Sequence, residues 1–99
     1  MELNVKRNGM SLTVTLIGEL SALTAKELDD LLQKELTGIK SLTLDFSGCD
    51  YVSSAGIRVL LNTFKIMKAE KGSMLLSNVG EGFMEVLENT GLDGVFDIS

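Results

Sequence analysis

The sequence predicts an α/β protein with a mixed sheet of four to five strands and about three to four helices packed on it. Short segments alternate apolar with polar residues, longer segments repeat apolar residues at helical spacing, and the two kinds of segment alternate along the chain. A helix between two strands of one sheet usually makes those strands parallel. With 99 residues, the chain is expected to form one domain over residues 1–99.

The first two strands are predicted to pair as a hairpin. A short strand around Leu3 and Val5 is followed by Asn8-Gly9, a dipeptide typical of tight turns. The next segment, SLTVTLIGEL, has period two, which places its alternate apolar residues on one face: Leu12, Val14 and Leu16.

The first helix is predicted near residues 24–37. Thr24 followed by Glu27 has the spacing of a capping box, and Gly38 supplies a left-handed stop. The apolar residues between them share one helical face: Leu28, Leu31, Leu32 and Leu36.

The rest of the chain repeats the strand–helix alternation. SLTLDFS and MLLSNV are predicted strands, and helices are expected near residues 54–71, with Gly72 as the stop, and near residues 82–90. VFDI is predicted to close the sheet. The expected core includes Leu16, Leu28, Leu31, Leu44, Phe46, Ile57, Leu60, Leu61 and Leu87.

Composition argues against several partners. A net charge of -5 and the lack of a basic cluster argue against nucleic acid. No apolar run approaches the roughly 20 residues that cross a bilayer, so membrane insertion is not expected. A single cysteine, Cys49, fits a reducing compartment, and the predicted location is the cytoplasm.

The sequence offers little for catalysis, metals or cofactors. It has no histidine, which removes histidine-activated nucleophiles and most transition-metal sites. VGEGFME lacks the third glycine of a phosphate-binding GxGxxG loop, and no P-loop occurs. Asp45 and Asp50 are interpreted as structural or solvated acids, and Cys49 as a small, partly buried filler. We therefore expect no catalytic residue and no cofactor.

The most informative stretch is YVSSAGIRVLL, which places Ser53 and Ser54 where the second helix begins. Loops after parallel strands are where α/β folds keep their sites. On a helical wheel, one polar stripe starts at this terminus: Ser54, Arg58, Asn62 and Lys65. Free backbone N–H groups there favour an anion, such as a phosphoryl group on Ser54. The alternative is that either serine is simply an N-cap.

The segment LTLDFSGCDYVSSAGIRVLL resembles the signature of the STAS domain family, which includes bacterial anti-sigma factor antagonists and the tails of sulfate transporters. The family pattern is a strand ending in Asp-x-Ser, an aromatic–aliphatic pair, and Asp-Ser-Ser-Gly opening a helix. The residues that match it are Asp45, Ser47, Tyr51, Val52, Ser54 and Gly56. The resemblance places Ser54 on the serine that is phosphorylated in the antagonists.

The resemblance extends over nearly the whole chain. GELSALTAKEL is similar to the family's strand-to-helix segment, with Ser21 where Asp is usual, and the C-terminal third carries Asn78-Val79 and Thr90-Gly91-Leu92. Two departures fall in the signature: Ser53 replaces an Asp, and Ala55 replaces the second serine.

The resemblance implies a non-enzymatic antagonist that switches partners. Unphosphorylated, it would bind an anti-sigma factor serine kinase, which phosphorylates it at Ser54 and so breaks the complex, and a Ser/Thr phosphatase would reset it. The expected partner-binding residues are Ser21, Thr24, Asp45, Ser47, Asp50, Ser53, Ala55, Gly56, Arg58, Asn62 and Lys65. The alternatives are an accessory subunit of an ABC-type lipid transport complex and a signalling scaffold.

Overall fold

The chain folds into a five-stranded sheet with three α-helices, and a computed structural model describes all 99 residues. The elements are β1 (Glu2–Asn8), β2 (Ser11–Ile17), α1 (Ala22–Glu35), β3 (Ser41–Gly48), α2 (Ser54–Ala69), β4 (Ser73–Ser77), α3 (Glu81–Asn89), a 3₁₀-helix (Leu92–Gly94) and β5 (Asp97–Ile98). The strand order is β1-β2-β3-β4-β5. β1 is antiparallel to β2 and the other neighbours are parallel, which confirms the predicted mixed α/β sheet.

The helices cover one face of the sheet. Each parallel crossover steps one strand further in the same direction, and right-handed crossovers of that kind place their helices on a common face. Alternate residues of β2, β3 and β4 point into the core beneath the helices and are buried: Leu12, Val14, Leu16, Leu42, Leu44, Phe46, Met74 and Leu76. Their neighbours on the other face, such as Thr13 and Thr43, remain partly exposed. Each of these three strands therefore has one buried and one partly exposed side.

Most of the predicted core residues are buried. Leu31, Ile57 and Leu61 are the exceptions, because they are only partly buried and pack at the margin of the core. The predicted hairpin is present, with Asn8 opposite Ser11. Gly9 and Met10 therefore form the turn, and Gly9 supplies its positive φ of 62°.

The start of α1 differs from the prediction. The capping box is formed by Ser21 and Thr24, not by Thr24 and Glu27. The Thr24 N–H donates to the Ser21 hydroxyl at 3.3 Å, and the Ser21 N–H donates to the Thr24 hydroxyl at 2.7 Å. A serine–threonine pair thus satisfies both donors, and the helix begins at Ala22.

α2 buries a stripe rotated slightly from the one that the expected core residues Ile57, Leu60 and Leu61 define. Gly56, Leu60, Thr63 and Met67 are the buried positions. Thr63 is tolerated there because its hydroxyl donates to the Val59 carbonyl at 2.8 Å. The end of α2 also differs, because Lys71, with a φ of 58°, is the left-handed residue. Gly72 serves close packing instead: a Cβ there would lie 2.7 Å from the Lys40 carbonyl oxygen.

The C-terminal elements follow the predicted order. α3 buries Phe83 and Leu87, and Phe83 packs against Phe46 of β3 with ring centroids 5.1 Å apart. β5 is short, with Ile98 beside Leu76 of β4. No helix combines the length and apolar character needed to cross a bilayer.

Candidate functional site

The loops that lead into α1 and α2 are joined by hydrogen bonds. Leu20 and Val52 form an isolated parallel bridge. The Leu20 N–H donates to the Tyr51 carbonyl at 2.9 Å, and the Ser53 N–H donates to the Leu20 carbonyl at 2.8 Å. The bridge extends the β2–β3 pairing beyond the strands, so the two helices start side by side at the carboxyl ends of these strands.

Each helix begins with a serine N-cap directly after this bridge. Ser21 caps α1, and Ser53 caps α2 by accepting the Gly56 N–H at 3.1 Å. The Thr24 hydroxyl also donates to the Glu19 carbonyl at 2.6 Å, which fixes the turn before α1. The cap interpretation of a serine in this stretch is thus correct for Ser53.

Ser54 differs from Ser53 in what its hydroxyl contacts. It is the first residue of α2, it is exposed, and its side chain makes no hydrogen bond within the chain. The N–H groups of Ser54 and Ala55 also have no acceptor in the chain, as is usual for a first helical turn. The terminus therefore presents a free hydroxyl beside two free donors, where an anion is favoured.

The predicted polar stripe of α2 reaches the surface along its length. Arg58, Asn62 and Lys65 are all exposed, and none has an ion pair or a hydrogen bond with another side chain. Arg58 lies one helical turn after Ser54. Its guanidinium is consequently available to a group placed on Ser54.

Asp45 supports the site from the end of β3. Its carboxylate accepts hydrogen bonds at 2.9 Å from the Asn78 side chain and from the Ser47 N–H. The Asn78 bond, followed by the Ser47 bond, lowers the pKa of Asp45 below its ordinary value. Asn78 itself has a φ of 54°, so Asp45 stabilises a left-handed turn after β4.

The rest of the loop between β3 and α2 divides into exposed and buried residues. Ser47 and Asp50 are exposed, and the Asp50 carboxylate lies beside Gly80 at the start of α3. Cys49 is fully buried, and burial raises the pKa of its thiol, which fits the predicted filler role. Ala55 is partly buried against the core.

Gly56 lies beneath the site and not on its surface. It is buried, and a Cβ at this position would lie 2.8 Å from Leu20 and 3.0 Å from Val52. The distance to Leu20 is shorter than real Cβ contacts allow and the distance to Val52 is at the tight limit, so a larger residue would push α2 away from the bridge. Gly56 therefore sets how closely the first turn of α2 approaches the loops.

The expected partner-binding residues do not include two exposed apolar residues of these segments. Leu23 in the first turn of α1 is 77% exposed, and Tyr51 next to the bridge is 53% exposed. Helical spacing offered a signal for Leu23, because it lies nine positions before buried Leu32, on the opposite side of the helix. Tyr51 was noted only as half of an apolar pair, of which Val52 alone is buried.

The largest cleft lies away from these residues. It has a volume of about 480 Å³ and is bordered by Leu36, Lys40 and Ile66, near the C-terminal ends of α1 and α2. None of the predicted site residues lines it. The chain contains no group of three or more acidic or cysteine residues placed to hold a metal ion.

Comparison with known proteins places these features in a family. The anti-sigma-B factor antagonist of Bacillus subtilis is 29% identical over 99 residues, spanning all of this chain and 91% of the relative. An anti-sigma factor antagonist from Mycobacterium paratuberculosis has a similar structure, with a TM-score of 0.86 at 22% identity over 98% of this chain and 83% of the other. The phosphorylated form of the Bacillus cell fate determinant SpoIIAA gives a TM-score of 0.79 at 15% identity over 99% and 91%. The family model of the STAS domain matches residues 2–99, and the chain belongs to the STAS domain family.

Proposed function

We propose that the protein is an anti-sigma factor antagonist that binds an anti-sigma factor serine kinase and is released when Ser54 is phosphorylated. The observation that carries the proposal is the state of Ser54, an exposed and unbonded hydroxyl in the first turn of α2. The names of the related proteins support it. In this role the chain is a substrate and a binding module and not an enzyme.

The docking surface that we propose consists of Ser21–Thr24, the loop Ser47–Ala55 and the stripe Arg58, Asn62 and Lys65. The Leu20–Val52 bridge supports this choice, because it holds the first two segments together. Most of these side chains are polar, and Leu23 and Tyr51 add exposed apolar area. A polar surface with a few apolar anchors is typical of partners that bind and separate.

Two of the expected partner-binding residues, Gly56 and Asp45, support this surface and do not form part of it. Gly56 sets the approach of α2, and Asp45 holds Ser47 and Asn78 in place. We therefore infer that these two affect binding through the shape of the surface. Direct contact with the kinase falls to the exposed residues.

Phosphorylation of Ser54 would stabilise the free protein and oppose the complex. A phosphoryl group adds about -1.5 to -2 charges. In the free protein, the N–H groups at the start of α2 and the Arg58 guanidinium offset this charge. In the complex, the same dianion would lie within an interface and lose its water, which weakens binding. A phosphatase of the Ser/Thr class would then restore the binding form.

Ser53 in place of the usual Asp is compatible with this switch. Serine and aspartate are comparable N-caps, and Ser53 accepts the Gly56 N–H as a cap requires. Unlike an aspartate at this position, Ser53 places no carboxylate beside the phosphoryl group on Ser54, so the phosphorylated form has less like-charge repulsion. We also propose that residues 1–99 act as one domain in the cytoplasm, where the kinase uses ATP as the phosphoryl donor.

Phosphorylation mapping tests the proposal. The anti-sigma factor kinase that copurifies with the chain is incubated with it and ATP, and the modified residue is mapped by fragmentation mass spectrometry. Ser54→Ala should abolish labelling and keep binding, whereas Ser54→Asp should lose binding. Ser53→Ala is the matched control and should still be labelled. Phosphate on Ser53 alone, or on neither serine, contradicts the proposal.

Charge reversal on the stripe tests the docking surface separately. Asn62→Glu with Lys65→Glu should weaken kinase binding and leave the melting temperature nearly unchanged, because both residues are exposed. Equal loss of folding stability and binding would indicate a structural role for the stripe.

A further inference from the structure

β1 is an open edge of the sheet with incompletely covered apolar side chains. It pairs with β2 on one side, and the strand order places nothing on its other side. Leu3 and Val5 lie opposite Leu16 and Val14, so they point to the helical face. Val5 is nevertheless 40% exposed, because the helices do not extend over the edge of the sheet. An exposed edge of seven residues can accept another strand.

The hairpin register determines which backbone groups point outward. In a two-residue hairpin the closing pair, here Asn8 and Ser11, exchanges hydrogen bonds, and bonded and non-bonded pairs then alternate along the ladder. The residues whose N–H and C=O groups face away from β2 are therefore Leu3, Val5 and Arg7. A strand added to this edge must pair with these residues.

The side chains of β1 are complementary to a second copy of β1 in one antiparallel register. When the two copies are centred on Asn4, Leu3 of one lies opposite Val5 of the other, and these are residues with outward backbone groups. On the open face, Glu2 of each copy lies opposite Lys6 of the other. The Glu2 carboxylate already lies along this face, since the Asn4 side chain donates to it at 3.0 Å. The pairing thus makes two contacts between opposite charges and covers the Val5 side chain of each copy.

Other registers lack this match. Centring on Val5 places Asn4 opposite Lys6, which pairs no opposite charges, and centring on Lys6 places two lysines opposite each other. Charged residues on an edge strand usually discourage pairing. Here they disfavour the register centred on Lys6 and favour the one centred on Asn4, while the register centred on Val5 gains no charge pairing.

We propose that β1 is a homodimerisation edge, at which two copies of this chain pair antiparallel through Leu3, Val5 and the Glu2–Lys6 contacts. The two-fold axis is normal to the sheet, so the two sheets join into one of ten strands. The interface contains no residue of the docking surface around Ser54, so association does not depend on the proposed partner or on phosphorylation. The interface consists of one seven-residue strand from each copy, which is small. We therefore expect a weak, reversible dimer.

Charge swapping tests the register. Mass in solution is measured by sedimentation equilibrium at low salt for the wild type, Glu2→Lys, Lys6→Glu and an equimolar mixture of the two variants. Each variant alone should dimerise about tenfold or more weakly than the wild type, since two weak attractions become repulsions. The mixture should regain wild-type association, because one chain now presents two cations and the other two anions. Circular dichroism checks that each variant is folded.

Matched controls separate the register from overall charge. Glu85→Lys and Lys34→Glu make the same changes in net charge at exposed positions away from β1, and should leave dimerisation within about twofold of the wild type. A wild type that stays monomeric at about 1 mM overturns the proposal. So does a mixture that associates no better than its two components.

Discussion

Leu20 and Val52 pair across two loops as a single parallel bridge, two residues before each helix begins. Ser21 and Ser53 follow them directly as N-caps, so one pair of residues sets where both α1 and α2 start. Both bridge residues are buried, and Gly56 of α2 packs on them. The exposed Ser54 thus lies in a helical turn that packs directly on buried residues at the end of the sheet.

Gly56→Ala should destabilise the fold. Alanine is normally better than glycine in a helix by about 1 kcal/mol, but its Cβ would lie 2.8 Å from Leu20. We expect a net loss of about 1–3 kcal/mol in the free energy of unfolding, measured by urea denaturation. Gly82→Ala in α3 is the control, because Gly82 is exposed and an added Cβ would lie 3.9 Å from its nearest neighbour, the Asp50 carbonyl oxygen. That variant should be neutral or more stable, and equal effects at both glycines would refute the packing argument.

The two adjacent serines should differ in stability when each is replaced. Ser53→Ala removes the cap of α2 and should lower the free energy of unfolding by about 1 kcal/mol. Ser54→Ala removes an unbonded, exposed hydroxyl and should change it by less than about 0.5 kcal/mol. Thermal and urea unfolding of both variants decide this, and a larger loss at Ser54 would reverse the assignment of cap and free hydroxyl.

Local patterns were sufficient to predict the elements and their order. Alternation along β2 and β3 and the apolar spacing of α1 identify strands and helices, because these patterns reflect which side of each element is buried. The exact start of α1 was harder to predict, since Ser21 and Thr24 form a capping box three residues before the predicted one. The choice between them follows from the bridge at Leu20, which is a tertiary contact.

The candidate site was predictable only in part. The N-terminus of α2 and its exposed stripe follow from helical periodicity, and the special role of Ser54 comes from the family resemblance. Contacts between distant segments were not visible in the sequence, such as the Asp45–Asn78 bond across 33 residues and the packing of Gly56 on Leu20. The exposure of Tyr51 was not predicted, because the family pattern gives an aromatic–aliphatic pair there and does not say which of the two residues is buried.

Stability should depend on pH through Asp45. Its pKa is lowered in the folded state, so its hydrogen bonds add stability above the ordinary carboxyl pKa, and this contribution is lost as pH falls through the folded value. Asn78→Gly keeps the left-handed turn but removes the largest cause of the shift. We expect it to cost about 1 kcal/mol at pH 7 and less near pH 3.

Urea denaturation at several pH values measures this difference. Asn62→Ala is the control, because Asn62 is exposed and its side chain has no hydrogen bond, so any difference from the wild type should stay constant with pH. A constant difference for Asn78→Gly as well would mean that the bond to Asp45 contributes no charge-dependent stability.

Leu23 and Tyr51 should act as the apolar anchors of the docking surface. They flank the joined loops, at 77% and 53% exposure, and aromatic and large apolar side chains dominate the binding energy of many interfaces. Leu23→Ala and Tyr51→Ala should each weaken binding to the anti-sigma factor kinase about tenfold or more, measured by isothermal titration calorimetry. Their melting temperatures should barely change, since exposed side chains contribute little to folding. Val95→Ala, at a position 39% exposed before β5, should bind like the wild type. Equal weakening by Val95→Ala, or no weakening by Leu23→Ala and Tyr51→Ala, would mean that the kinase binds a different surface. The phosphorylation of Ser54 is tested separately by the mapping experiment.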